Sequence, residues 1–159
     1  MKKIISILFT MFIFSGVFAQ SADVITSILD TDKVTYGQVC YLSAVRQQII
    51  DESDSYDDAI KALMEQGIVS EKVRSSDVIS LQEVSHIFTK IWPDFKGGFM
   101  YRITGGAARY AFKSLKDVGI LTTRDDPFNT VSGFDVLNIL SSCMMEFGSE
   151  EECMTMSID

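Results

Sequence analysis

The side chains in this sequence best suited to hold a ligand gather around one glycine-rich stretch. Trp92-Pro93 opens it, Gly97-Gly98 and Gly105-Gly106 punctuate it, and Phe99-Met100-Tyr101-Arg102-Ile103 stands between the glycine pairs. Arg109 and Tyr110 follow directly. Glycine pairs let a chain turn sharply, while an arginine offers a planar fork of donors and an aromatic ring offers flat apolar area. Trp92, Tyr101, Arg102, Arg109 and Tyr110 are therefore the candidate ligand-binding residues, suited to a sugar face or an anionic group. A structural reading competes: the apolar insert packs under the helices and both arginines pair with surface acids. Gly105-Gly106, just before a predicted helix, could also expose backbone N–H groups to an anion.

Catalytic chemistry finds no comparable set. The single histidine, His86, falls inside a predicted helix, and a nucleophilic cysteine wants a histidine base. Asp57-Asp58 suits the first turn of a helix, and Asp125-Asp126-Pro127 suits a loop turn. The sequence holds no Gly-x-Ser-x-Gly elbow, no phosphate loop ending in Lys-Ser/Thr and no His-Glu-x-x-His, each of which has a mechanism attached. Met154 and Met156 are too few soft ligands for a metal. The expectation is a protein that is not an enzyme and takes neither cofactor nor metal. Three cysteines, Cys40, Cys143 and Cys153, allow three single pairings with one thiol left over, and the sequence leaves the choice open. Cys143 holds an apolar-face position and Cys40 the flank of a helix, while Cys153 lies in the tail.

The elements that must position these residues are set by an internal repeat. The pattern from Asp57 to Trp92 returns 52 positions later, from Arg109 to Met144, without insertion or deletion. Ala59 meets Ala111, Leu63 meets Leu115, Gly67-Ile68 meets Gly119-Ile120, Ser80 meets Ser132, Val84 meets Val136 and Ile87 meets Ile139. Each copy reads as two helices. Apolar residues at helical spacing mark the first, which stops at a glycine able to take the left-handed conformation. A capping box opens the second, Ser80-Leu81-Gln82-Glu83 in one copy and Ser132-Gly133-Phe134-Asp135 in the other. Ile79 with Val84, and Val131 with Val136, have the spacing of a hydrophobic staple across each box. Val34-Thr35-Tyr36-Gly37-Gln38-Val39 repeats this start upstream, giving two full units and the second half of a third.

The pattern predicts ten core residues on the three capped helices: Val39, Leu42, Val84, Ile87, Phe88, Ile91, Val136, Ile139, Leu140 and Cys143. A short helix over 21–29 precedes them, the helix capped by Thr35 is expected to run through Ile49, and Ser55 caps a helix beginning at Tyr56. The half unit spans 21–50, the full units 56–92 and 107–144, and the connector 93–106, all within a single domain, 20–146. Residues 147–159, with Glu150-Glu151-Glu152, read as an acidic tail.

Met1 to Ala19 has the form of a secretory signal peptide: Lys2 and Lys3, the apolar run Ile4 to Phe14, and small residues Val17 and Ala19 at the boundary. The expected address is the periplasm, the cell envelope or the medium, without stable membrane insertion after cleavage. Losing residues 1–19, which carry two lysines and no acid, takes the formal charge from −8 to −10. That balance argues against nucleic acid and anionic membrane surfaces, both of which are bound by excess Lys and Arg.

First helix, Gly-Ile break, loop, then a capped helix opening hydroxyl-x-x-acid: this order resembles the S-layer homology repeat of bacterial surface proteins. The resemblance covers Val34 to Met144 and rests on Gly67-Ile68, Gly119-Ile120 and the starts at Thr35, Ser80 and Ser132. It implies an all-α, compact domain of tandem two-helix repeats and attachment to a cell-wall-linked polysaccharide. In that family the second helix opens Thr-Arg-Ala-Glu, and its arginine is associated with binding the acidic polymer. Here Tyr36, Leu81 and Gly133 stand at that position. The sequence thus leads to an exported, non-enzymatic envelope scaffold that binds a wall or periplasmic component, polymer or protein, with its contacts moved to the connector. The alternative is a small-ligand carrier with a pocket between the repeats, which would need a concave apolar cavity.

Overall fold

A computed structural model of the chain describes residues 22–93 and 95–148; the segment expected to be a signal peptide, 1–19, and all but the first two residues of the expected acidic tail lie outside them. The described chain is all helical: α1 (22–29), α2 (Tyr36–Arg46), α3 (Tyr56–Glu65), α4 (Leu81–Lys90), α5 (Phe99–Ile103), α6 (Ala108–Asp117) and α7 (Gly133–Phe147). Extended pairing among the described residues is limited to the isolated bridges Thr35–Val78 and Ser80–Thr130.

Those bridges belong to a ring. Before α2, α4 and α7 stand Val34, Ile79 and Val131, all buried. Val34 N–H donates to the Val131 carbonyl (2.9 Å) and Ile79 N–H to the Val34 carbonyl (3.2 Å). The first residue of each helix then donates to the loop ahead of the next: Tyr36 to Asp77 O at 2.9 Å, Leu81 to Asn129 O at 3.0 Å, Gly133 to Thr31 O at 2.8 Å. Helix starts carry N–H groups that no residue of their own helix can satisfy. Here each start is completed by a neighbour, so the three depend on one another around a common centre.

Side-chain caps add further bonds at these starts. At α2 the box is reciprocal, with Gln38 Oε1 accepting from Thr35 N–H at 2.9 Å and Thr35 Oγ1 accepting from Gln38 N–H at 3.5 Å. Glu83 accepts from Ser80 N–H (3.1 Å) and from its hydroxyl (2.7 Å). The Ser132 box is one-sided: its hydroxyl accepts from Asp135 N–H at 3.2 Å, and among the recorded bonds the Asp135 carboxylate meets only that hydroxyl. An additional box, Ser55 with Asp58, opens α3.

The Gly-Ile breaks close the first helices as the pattern predicts. Gly67 and Gly119 take φ of 71° and 83°. Ile68 N–H reaches Leu63 O at 2.9 Å and Ile120 N–H reaches Leu115 O at 3.0 Å, the bonds that terminate a helix on a left-handed residue. The helix α2 ends the same way on Gln48, φ 57°, with Ile49 N–H on Ala44 O at 3.1 Å. It therefore stops at Arg46, short of Ile49, which lies beyond the helix and is exposed.

All ten residues assigned to the core are buried, with Phe88, Val39, Val84, Val136 and Cys143 fully so. The packing partners differ from the sequence units, however. The first helix of each unit lies mainly on the second helix of the preceding one, α3 on α2 and α6 on α4, while α2–α4 and α4–α7 contacts join the pairs. At α7 the equivalent place is taken by α1: a Cβ on Gly133 would overlap the Ile28 carbonyl oxygen and come within 2.6 Å of its carbon. Of the apolar residues that mark α1, only Ile28 is fully buried.

Candidate functional site

The repeat builds two equivalent grooves. Ile68, Val69, Ser70, Val73, Glu83, His86 and Ile87 line one of about 270 Å³, together with Tyr36 at the start of α2. The residues 52 positions on, Ile120, Leu121, Thr122, Asp125, Asp135, Asn138 and Ile139, line a second of about 390 Å³, together with Leu81 at the start of α4. Each groove thus runs from a Gly-Ile break, along the face of one capped helix, to the first residue of another. The third such place, at Gly133, is filled by the backbone of α1. This gives a physical reason for glycine there, since any side chain would enter the Ile28 peptide.

The two grooves differ in charge and polarity. In the smaller one the Tyr36 hydroxyl donates to Glu83. Burial pushes the Tyr36 phenol well above its ordinary value, and the bond to Glu83 and the nearby negative charge add to that. Burial works the other way on Glu83, but the hydrogen bonds from Ser80 and Tyr36 outweigh it and hold the carboxyl below its usual range. His86, inside α4 as its sequence predicts, is half-buried with Nδ1 2.6 Å from Gly106 O and Nε2 3.2 Å from Ile68 O. Its ring ties α4 to the connector and to the Gly-Ile break. In the larger groove Asp125, Asp126 and Asp135 face Arg124, Asn129, Asn138 and Ser142. Asp125 caps its own loop by accepting from the Thr122 N–H and hydroxyl.

The five candidate residues do not converge on one pocket. Trp92 is 6 % exposed, with the Arg46 guanidinium 4.6 Å above its ring, so it belongs to the core edge and lines none of the described pockets. Tyr101 and Tyr110 line one depression of about 220 Å³ between α5 and α6 with Phe99, Met100 and Lys113. Arg102 and Arg109 are exposed on the outer faces of the same two helices. Neither takes part in an ion pair among the described residues, where Lys61–Asp58 is the pair formed. The insert is not packed beneath the helices: α5 buries none of its residues. Gly105-Gly106 is a turn, both residues at positive φ, whose carbonyls accept from Lys90 Nζ (2.7 Å) and face His86 Nδ1 (2.6 Å). The α4 side chains engage those carbonyls, and Gly106 N–H is spent on Tyr101 O at 2.8 Å.

Cys40 and Cys143 are free thiols at 0 % exposure. Burial pushes both up to about 12, the setting of an inert structural thiol. Cys40 thus sits in the core and not on a helix flank, and Cys153 lies outside the described residues. No cluster of His, Cys, Asp and Glu among the described residues could hold a metal ion, and none of the described helices is long and apolar enough to cross a membrane. Sequence reasoning passed over the groove residues. The 52-residue offset that aligned the helices aligns the groove linings as well, and only the meeting of two units in space reveals them. Comparison with family models, with curated proteins and with solved structures gives no match.

Proposed function

We propose that this protein is an exported, non-enzymatic component of a bacterial cell envelope, an S-layer-homology-like scaffold whose inter-unit grooves hold a wall or periplasmic component. The observation that carries this reading is the pair of grooves in one register, each ending on the first residue of a capped helix. That is the place where the resembled family carries its arginine. With Leu81 there and Asp125, Asp126 and Asp135 beside it, the larger groove repels an acidic polymer. Its Asn, Thr, Ser and Asp lining suits a neutral or amine-bearing sugar, whose hydroxyl and ammonium groups those oxygens accept. The alternative, a small-ligand carrier, asks for a concave apolar cavity, whereas the larger groove is lined chiefly by polar and charged side chains.

Sedimentation of the purified mature chain with isolated cell-wall sacculi, with and without their attached polymers, tests the reading. Asn138→Trp, an exposed position in the larger groove, should weaken retention by about tenfold or more while helix content stays the same. Equal retention of parent and variant would remove the groove from consideration. A stoichiometric small molecule in native mass spectra would favour the carrier.

A further inference from the structure

The charge of this chain is unevenly distributed. Residues 95–116 hold five of its 14 Lys and Arg, namely Lys96, Arg102, Arg109, Lys113 and Lys116, and none of its 22 acids. Lys116 is occupied at home, bonded to Thr123 O and Asp125 O at 3.3 and 2.8 Å. The other four are exposed and make no ion pair among the described residues. Among them in the chain, α5 turns three apolar side chains outward, Phe99 at 76 %, Ile103 at 62 % and Met100 at 43 % exposure, with Lys113 beside Phe99 and Met100. Phe99 and Ile103 are four residues apart, so they stand on one side of the helix.

This exposure is imposed by a framework. Tyr101 on the inner side packs edge-on against Phe95, centroids 5.0 Å apart, and its hydroxyl reaches Thr89 O at 3.4 Å. Phe95 packs in turn on Phe147 at 4.9 Å. Gly98 N–H donates to Ser114 Oγ at 3.3 Å, fixing α5 to α6. Held this way, α5 cannot turn Phe99 and Ile103 inward without breaking these contacts. The depression of about 220 Å³ beside Phe99, walled by Tyr101 and Tyr110 and bordered by Lys113 and Asp117, has room for one large side chain.

We infer that the α5–α6 face is a docking surface for a partner protein, and that it takes an acidic segment anchored by one aromatic or large aliphatic side chain. An apolar centre with a polar, charged rim is the usual anatomy of such a surface, and opposite charge on the partner speeds the encounter and fixes its register. A bilayer would meet protruding Phe99 and Ile103 but would leave the depression between α5 and α6 unused, and the acid-rich remainder of the chain would be repelled by anionic lipid. A nucleic acid strand would use the four cations and leave the aliphatic Ile103 and Met100 without a role. The acidic segment uses all three features. The surface is separate from the grooves, so its failure leaves the proposed function standing, and the reverse.

The test is binding of the full mature chain, by fluorescence anisotropy, to a labelled glutamate-rich peptide carrying one central phenylalanine. Its counterparts carry alanine for the phenylalanine, or lysine for every glutamate. Vesicles containing anionic phosphatidylglycerol and a labelled single-stranded oligonucleotide complete the set. Expected are binding of the parent peptide, about tenfold weaker binding of the alanine peptide, none of the lysine peptide, and loss of affinity with added salt. Arg102→Glu with Lys113→Glu, and separately Phe99→Ser with Ile103→Ser, should each weaken the parent peptide about tenfold or more. All four positions are exposed, so helix content should be unchanged, and Asn138→Trp should bind like the parent protein. Full binding by either double variant, equal binding of parent and alanine peptides, or binding of vesicles or oligonucleotide in place of the peptide overturns the inference.

Discussion

Replacing Gly133 with alanine tests the ring of helix starts at its closest contact. The new Cβ would overlap the Ile28 carbonyl oxygen and stand 2.6 Å from its carbon and 3.2 Å from Leu29 Cα. All three are backbone atoms, so no rotamer change relieves the overlap. Either α7 or α1 must move, and α1, the terminal element on this side of the described chain, is the one with less to hold it. Displacing it exposes Ile28, now at 0 %, at a cost of about 1.5 to 3 kcal/mol. It also breaks the 2.8 Å bond from Gly133 N–H to Thr31 O, worth about 0.5 to 1.5 kcal/mol. Alanine returns at most about 1 kcal/mol through its better helix propensity. The expected net loss is about 1 to 4 kcal/mol, read from urea unfolding followed by circular dichroism. A second arm separates this from a general helix defect: once α1 is displaced, Ile28→Ala should cost much less in the Gly133→Ala background than in the parent. Unchanged or increased stability, or strictly additive losses, would refute the argument that α1 seals the third groove position.

Two further measurements address the centre and the grooves. Truncating Phe88, fully buried, should cost about 3 to 5 kcal/mol, and Leu140→Ala about 2 to 5 kcal/mol; losses of a few tenths at both would contradict a shared core. Glu83 has a folded-state pKa below its ordinary value, so its contribution is present above the unfolded value near 4.3 and is lost as pH falls through the folded one. Glu83→Gln should therefore flatten the decline of stability below about pH 4, and an unaltered acid limb would show that the Ser80 and Tyr36 bonds to Glu83 carry no linkage.

Much of the helical framework follows from local chemistry, which a sequence displays directly. The Gly-Ile breaks, the caps at Thr35, Ser55, Ser80 and Ser132, and the apolar spacing from Val34 to Cys143 each involve residues within a few positions of one another. The backbone satisfies its hydrogen bonds there by rules of short range. The end of α2 was misjudged because Gln48 accepts a left-handed conformation that the sequence marks elsewhere with glycine.

The sites depended on contacts between distant residues. The sequence placed Trp92, Tyr101, Arg102, Arg109 and Tyr110 in one neighbourhood because they are close along the chain. Folding buries Trp92 beneath Arg46, sets Tyr101 and Tyr110 along one shallow depression and leaves both arginines outside it. The grooves join the start of one capped helix to the Gly-Ile break and capped helix of another unit, so no single stretch contains one. Gly133 makes the same point. The sequence shows only a glycine at the start of a capped helix, and the reason for it, the Ile28 carbonyl more than a hundred residues upstream, exists only once the chain has closed its ring.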